Sequence, residues 1–523
     1  MNSQTSGNRP RATGGARLWR ALTLLSLFLG FIVTGPAMAK PGDAKKGEAI
    51  YAKRCAACHG AEGDGLGPVA ERLNPPPRDF TAGQYKIKTS GLDEAAPSDD
   101  DLYRTIRHGM PGTAMPGWGD MLSEQDTWDL IVYIKAFAGF EEPPSQQLDY
   151  GERISSSAES IGRGKELFHQ DDRCSECHGQ EGKGDAIKRL KGDAGERTWP
   201  RDLAKPWTFR ASNDPKDIFA RVSLGIPGTQ MPAFADPKNE KKLSIEERWH
   251  VANYVASLAE TDKAVQPENT VVKAERVEGE VASAPDDKRW EATTPTTFYL
   301  VPQIIVKERF FRPSNDTITV RAMYNDKEIS FLLEWDDRTQ SIPGDEKAEK
   351  IADPPIDEDA VAVQLPVAIP DGIEKPYFFM GNAVHPVTVW QWKSGTRAKP
   401  ASLALLNAKG FKDLERRDAQ SAGIAAQGAY RDGAWRVVMK RARVAADSAK
   451  DLSFTEGQFI PIAFAAWDGS NSEKDSKHTM TTWYWLLLKP DTGAEPFVWA
   501  LLAMGFVAAG QFWWIRSAGR KKP

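Results

Sequence analysis

Cys55-Ala56-Ala57-Cys58-His59 and Cys174-Ser175-Glu176-Cys177-His178 are the two stretches on which the reading of this chain turns. Each places two thiols one helical turn apart, where both can add to the vinyl groups of one haem, and the adjacent histidine can then reach the iron from the proximal side. The competing reading, a zinc or redox site, needs further Cys or His at ligand spacing. The chain has four cysteines, and all four sit in these two motifs. Two covalent c-type haems are therefore expected, attached through Cys55, Cys58, Cys174 and Cys177, with His59 and His178 as proximal iron ligands.

Outward from the motifs the sequence repeats. Residues 77–80 read PRDF and 200–203 read PRDL; 101–116 read DLYRTIRHGMPGTAMP and 217–232 read DIFARVSLGIPGTQMP; 123–138 read SEQDTWDLIVYIKAFA and 244–259 read SIEERWHVANYVASLA. Matched spacing means one module used twice, over residues 40–145 and 146–262. Each copy reads as helical, with Ser123 and Ser244 as N-caps and Asp126 and Glu247 completing capping boxes. The second axial ligand should come from later in each copy. Met115 and Met231 hold the same repeat position, each before a proline, and a thioether raises the potential as a carrier requires. Met110 and His108 are the rivals in the first copy, but their equivalents are Ile226 and Leu224. Arg78 and Arg201 also recur; they either pair with haem propionates or form surface salt bridges with Asp79 and Asp202. Both modules resemble class I cytochrome c domains. That resemblance implies small all-α folds, each with a haem edge exposed for electron exchange.

The ends of the chain suggest export and anchoring. Arg9, Arg11, Arg17 and Arg20 precede an apolar run, Ala21 to Val33, and then Ala37-Met38-Ala39, the layout of a signal peptide over residues 1–39. Phe497 to Ile515 is almost wholly apolar, and a bilayer needs about 20 such residues. One transmembrane helix is expected over 496–516. Arg516, Arg520, Lys521 and Lys522 follow it, so the C-terminus should be cytoplasmic and the rest on the periplasmic side of a bacterial inner membrane. A length of 523 residues exceeds one compact core, and a net charge of -4 offers no basic surface for nucleic acid.

Residues 263–290 lack periodicity and read as a linker. From 291 to 490 the period changes to two. Ile318, Val320, Ala322 and Tyr324 alternate with mostly polar neighbours; Asn325-Asp326-Lys327 marks a turn; Ile329, Phe331, Leu333 and Trp335 alternate again, a hairpin signal. Further strands are expected at Ala360–Leu365, Val387–Trp392, Trp435–Lys440, Phe459–Ala466 and Thr482–Leu488, which together suggest a β-sandwich. The pieces VRAMYNDKEISFLLEWDD, YFFMGNAVHPVTVWQW, IPIAFAAWDGSN and KHTMTTWYWLLL resemble the haem-binding subunit of ethylbenzene dehydrogenase and its counterparts in dimethyl sulfide dehydrogenase, selenate reductase and chlorate reductase. The resemblance implies a sandwich holding one b-type haem between a Met and a Lys. It also implies partners, the iron–sulfur and catalytic subunits of a molybdenum enzyme. The methionine falls on Met380. The lysine falls most naturally on Lys477, with Lys474 second and His478 beside it. This chain departs from the pattern by carrying two cytochrome c modules in front and an anchor behind.

The leading expectation is a membrane-tethered conduit between a molybdenum oxidoreductase, or a quinone-linked donor, and a soluble cytochrome. With His and Met filling both axial positions, neither c-haem leaves iron open to substrate, so catalysis belongs on a partner. The alternatives are a dihaem enzyme, peroxidase-like or thiosulfate-oxidising, which would need an open or cysteine-ligated iron, and a ligand-sensing haem protein.

Overall fold

The structure, a computed structural model, describes residues 42–518 except 74, 187–189, 193–194, 196, 312, 353–354, 373, 378 and 491–494. The expected leader at 1–39 and the basic residues Arg520, Lys521 and Lys522 lie outside the described residues.

The two repeats fold alike. The first has helices α1 (Ala44–Arg54), α2 (Ala56–His59), α3 (Asp99–His108) and α4 (Glu124–Ala136); the second has α5 (Ala158–His169), α6 (Ser175–His178), α7 (Pro215–Leu224) and α8 (Ile245–Ser257). The capping boxes form as read: Ser123 with Asp126 starts α4, and Ser244 with Glu247 starts α8. In each copy the first helix crosses the last at very close range. A Cβ on Gly47 would sit 2.1 Å from the Asp129 carbonyl, and one on Gly164 would sit 2.1 Å from that of His250. Only glycine permits such an approach. The crossing delivers the end of α1, and of α5, to the Cys-x-x-Cys-His turn. Tyr51, Leu130 and Ile131 fill one core; Phe168, Phe219 and Trp249 fill the other.

The rest is a two-sheet sandwich. Its strands are β1 (Val271–Arg276), β2 (Thr296–Tyr299), β3 (Thr317–Tyr324), β4 (Glu328–Asp336), β5 (Ala360–Pro366), β6 (Val387–Lys393), β7 (Ser402–Ala408), β8 (Leu414–Arg417), β9 (Ala425–Arg431), β10 (Ala434–Ala442), β11 (Phe459–Trp467) and β12 (Tyr484–Leu488). One sheet runs β11-β12-β1-β3-β4-β10-β9, and the other β8-β7-β6-β5-β11. Strand β11 belongs to both: Phe459–Ile462 pairs with β12 and Ala463–Trp467 with β5. It turns the corner near Pro461, where a missing amide donor is tolerated. The hairpin is in the expected register, with Tyr324 opposite Ile329. Asn325 closes its turn by accepting the amides of Lys327 and Glu328 at 2.8 and 2.7 Å. The sheets meet through aromatic pairs, Trp392 on Trp435 at 5.0 Å and Phe331 on Trp390 at 6.1 Å between centroids.

The linker expectation is corrected here. Residues 271–276 form β1, which lies between β12 and β3 and is parallel to both. Val272 and Ala274 are wholly buried, and Val281, Ala282 and Trp290 are buried beyond the strand. Two inward residues among charged neighbours are too few for a period to be read, yet they suffice once flanking strands supply the ladder.

The units dock through ion pairs and backbone contacts. Arg104 of the first module holds Asp217 of the second with two bonds, 3.0 and 2.6 Å. Arg221 donates back to the carbonyls of Lys86, at 3.0 Å, and Lys88. Lys205 of the second module reaches the sandwich at Asp316, 3.2 Å away, and Asp336. Helix α9 (Glu495–Ala518) ends the described chain; its apolar window Val498–Ser517 spans 20 residues with none buried, long enough to cross a membrane.

Candidate functional site

Each Cys-x-x-Cys-His segment is one short helical turn that follows the module's first helix. The His59 ring nitrogen Nδ1 donates to the Arg78 carbonyl at 3.0 Å, and His178 Nδ1 donates to the Arg201 carbonyl at 3.1 Å. This contact selects the tautomer and leaves Nε2 with its lone pair, the arrangement a metal-bound imidazole needs. Burial lowers both histidine pKa values, so the rings are held neutral. Phe80 stacks on His59 at 4.5 Å. Burial pushes the thiols of Cys55 and Cys174 up, to about 11 and about 12. Among the described residues no third Cys, His, Asp or Glu closes on either cysteine pair as a metal ligand, so the donor set fits covalent haem and not zinc.

The two methionine loops are built alike. Met110 N donates to the Met115 carbonyl at 3.0 Å, and Ile226 N to the Met231 carbonyl at 3.2 Å. The Thr113 and Thr229 hydroxyls accept from the amides of Met115 and Met231, at 3.1 and 3.2 Å. Met231 packs on the cluster that contains Cys174 and Phe168. Met115 is half-buried at the matching position.

Arg78 and Arg201 thus act first through their backbone carbonyls. The Arg201 side chain is placed tellingly as well. A Cβ on Gly112, in the methionine loop of the first module, would lie 3.4 Å from Arg201 Nη1. Burial, then Arg210 and Arg338, lower the Arg201 pKa to about 10. Burial and then Arg78 lower Arg210, whose Nε has no partner among the described residues. Four guanidinium groups from three units thus crowd one region. Arg201 and Arg338 line a cleft of about 910 Å³ there, with Leu66, Pro76 and Trp199. Asp202, Asp316, Asp336, Asp337 and Asp468 line the same cleft, so these guanidinium groups are opposed by carboxylates, and a haem propionate would join that set as a further partner for Arg201. Arg210 and Arg338 escaped the sequence reading because no repeat partner or motif marks them.

In the sandwich, Met380 adopts a left-handed backbone, φ 64°, and packs on the outer face of the second sheet. That face is rich in small residues, Ala360, Ala362, Ala408, Ala463 and Ala465, and also carries Val387, Val389, Leu406 and Trp483. Trp467 belongs to the same cluster, and the His478 ring lies tilted against Trp467 with centroids 4.7 Å apart. Met380 and, through His478 and Trp467, the loop 474–478 thus meet at one apolar cluster, whose small side chains suit the close approach of a planar ligand. In this structure Lys477 pairs with Glu308 at 2.7 Å, and Lys474 with Asp357 at 3.4 Å.

Comparison with known proteins follows the same division. The family model for cytochrome C oxidase, cbb3-type, subunit III matches residues 42–134, that for cytochrome c matches 161–259, and that for ethylbenzene dehydrogenase matches 287–420 and 404–479. Chlorate reductase subunit gamma of Ideonella dechloratans is 28% identical, over 46% of this chain and 96% of that protein. The Haloferax mediterranei protein named as respiratory nitrate reductase heme subunit ORF7 is 28% identical, over 37% of this chain; the match spans 65% of its length. Cytochrome c55X of Stutzerimonas stutzeri is 30% identical, over 24% of this chain and 93% of that protein. This chain belongs to the cytochrome c family, as two such modules joined in one polypeptide to a domain of the ethylbenzene dehydrogenase haem-subunit type.

Proposed function

We propose that this chain is a membrane-tethered, periplasmic electron-transfer subunit serving a molybdenum oxidoreductase of the dimethyl sulfoxide reductase type. It carries two haem c and one haem b and passes electrons between that enzyme and a soluble or quinone-linked carrier. The observation that carries the reading is the shared interface. Arg201 of one module lies beside Gly112 in the methionine loop of the other, and Arg201 and Arg338 of the sandwich line one cleft with residues 65–76 of the first module. A pair of independent carriers would not need that.

Bound haem supplies one-electron chemistry. The protein's share is positioning and charge. Cys55, Cys58, Cys174 and Cys177 would tether the two covalent haems, His59 and His178 would hold the irons through Nε2, and Met115 and Met231 would supply the second ligand to each. Arg78 and Arg201 hold the imidazoles through their carbonyls, and their side chains would offset the propionates. Met380 and Lys477 would hold a haem b on the alanine-rich face, where Lys477 would exchange Glu308 for the iron, with Lys474 as the substitute. Helix α9 anchors the assembly, with its C-terminal end in the cytoplasm.

The full chain, tagged and isolated in mild detergent from its own membranes, should bring with it molybdenum and iron–sulfur in fixed ratio to haem. Isolation with haem but no molybdenum would remove the partner enzyme from the proposal.

A further inference from the structure

At one end of the sandwich three carboxylates converge. Asp337 follows β4, Asp359 precedes β5 and Asp468 follows β11. Their ligand oxygens lie within 4.8 Å of one another, and the residues are 2%, 0% and 5% exposed. Asp359 accepts from the amides of Ser341 and Gly469, at 2.6 and 2.8 Å, and from Trp435 Nε1 at 2.8 Å. Asp468 Oδ1 accepts from the Ser470 amide and hydroxyl at 2.8 and 2.7 Å. Asp337 Oδ1 accepts from the Thr339 amide at 3.1 Å, but its buried Oδ2 has no partner among the described residues.

Among the described residues none of the three forms an ion pair. Glu473, itself fully buried, adds a fourth acid. It accepts from the Asp468 amide at 3.2 Å, from Ser314 at 3.2 Å and from Asn471 at 2.9 Å. Tyr430 faces the group from β9 and donates to the Asp337 carbonyl at 2.8 Å. Arg338, the nearest cation in sequence, stacks over Trp199 and faces Asp316 and Asp202 before Asp468. Burying several carboxylates without a countercharge is costly. Two devices can lift that cost: a shared proton or a bound cation. The hydrogen bonds to Asp359 are all donated to it, which favours its ionised form. The orphaned Asp337 Oδ2 is an acceptor awaiting an electrophile.

We propose that Asp337, Asp359 and Asp468 bind a calcium ion. The donors are all hard oxygens, the preference of calcium over soft-ligand metals. An oxygen spread within 4.8 Å matches the width of a calcium shell, whose bonds are about 2.3–2.6 Å. The ion would tie the end of β4 to the turn after β11. Asp336, one residue before the site, is the residue that docks on Lys205, so the ion buttresses the junction of sandwich and second haem module.

The alternative has its own signature. Burial and the neighbouring acids raise Asp359 to about 8 and raise Asp337 and Glu473. Carboxyls raised in this way stabilise the fold only while protonated, and that stability drains away as pH climbs toward 8.

The test uses the full holoprotein in detergent. After dialysis against calcium-free buffer, metal analysis should find, or titration with calcium should restore, one calcium per chain. At pH 8, millimolar calcium should raise the sandwich's thermal midpoint by at least about 2–4 °C relative to chelator. Asp337→Asn should abolish the response while both covalent haems stay attached, which reports folding of the modules. Calcium-independent melting of wild type at pH 8, with no bound ion, would overturn the proposal in favour of the shared proton. An equal response to magnesium would overturn the assignment of calcium.

Discussion

Replacing Lys205 by Met should loosen the sandwich where the second haem module docks. The Lys205 side chain is 13% exposed, and its ammonium meets Asp336, Asp316 at 3.2 Å and the Thr317 hydroxyl at 3.0 Å. Burial alone would lower its pKa, but Asp316, Asp336 and Asp202 outweigh that and hold it raised. Removing one partner of a fully buried pair costs about 3–5 kcal/mol, against about 0.2–1 for an exposed pair. Asp336 is 29% exposed and Asp316 52%, so solvent screens part of the loss and about 2–3 kcal/mol is expected. Amide exchange along Glu328–Asp336 should then quicken by roughly 30- to 150-fold, at a factor of ten per 1.4 kcal/mol. The defect should depend on pH. Burial and then Asp336 push Asp202 up to about 7. A carboxyl raised above its unfolded value, about 3.9, stabilises the fold while protonated and stops doing so as pH rises through 7. The variant should therefore be closest to wild type at pH 5 and worst at pH 8. The double variant Lys205→Met/Asp336→Asn should recover much of the loss. A change under about 1 kcal/mol, equal at both pH values, would mean that the pair behaves as an exposed one.

Oxidised protein should show a sulfur-to-iron charge-transfer band in the near infrared from both c-haems; Met231→Ala should remove about half and the double variant with Met115→Ala nearly all, whereas a surviving band would point to other ligands. Pyridine haemochrome analysis of the full chain should count one b-type haem beside two c-type, and Met380→Ala or Lys477→Ala should lose the former alone; loss on Lys474→Ala instead would move the ligand. Arg201→Gln keeps the carbonyl that orients His178, so haem should still attach, but loss of the nearby cation should lower that haem's midpoint potential; an unchanged potential would place the propionates elsewhere. Protease added from the periplasmic side should release the haem modules and leave a short C-terminal membrane fragment; a protected chain would reverse the orientation.

What the sequence disclosed was whatever repeats or alternates. The Cys-x-x-Cys-His turns carry their chemistry in adjacent residues. The capping boxes at Ser123 and Ser244 are local, and so is the β3–β4 hairpin with its Asn325 turn. What it hid was set by distant partners. Strand β1 offers only Val272 and Ala274 to the core and exists because β12 and β3 flank it. Strands β8 and β9 carry mostly polar and small residues on half-exposed faces, and the adjacent Leu405 and Leu406 break the alternation in β7, so no period announced them. The three aspartates stand far apart in sequence, and each by itself reads as a loop residue.

One signal was present but needs the fold to be understood. The repeat is broken where the copies meet. Arg104 corresponds to Ala220, and Arg221 to Thr105. These are the arginines that cross between the modules, Arg104 to Asp217 and Arg221 to the carbonyls of Lys86 and Lys88. Asp101 and Asp217 occupy one repeat position and do different work. Asp101 stays within its module, accepting from the Thr89 amide at 2.7 Å and capping α3, while Asp217 faces outward to Arg104. Identity between copies thus marks what each haem module needs for itself: the cysteines, the histidine, the threonine–methionine loop, the carbonyl after the proline. Difference between copies marks what a pair needs. Two isolated carriers would drift freely at these surface positions. Here the differences are complementary, an arginine gained on each side against an acceptor on the other, and they hold the modules in one orientation beside the shared arginine cleft.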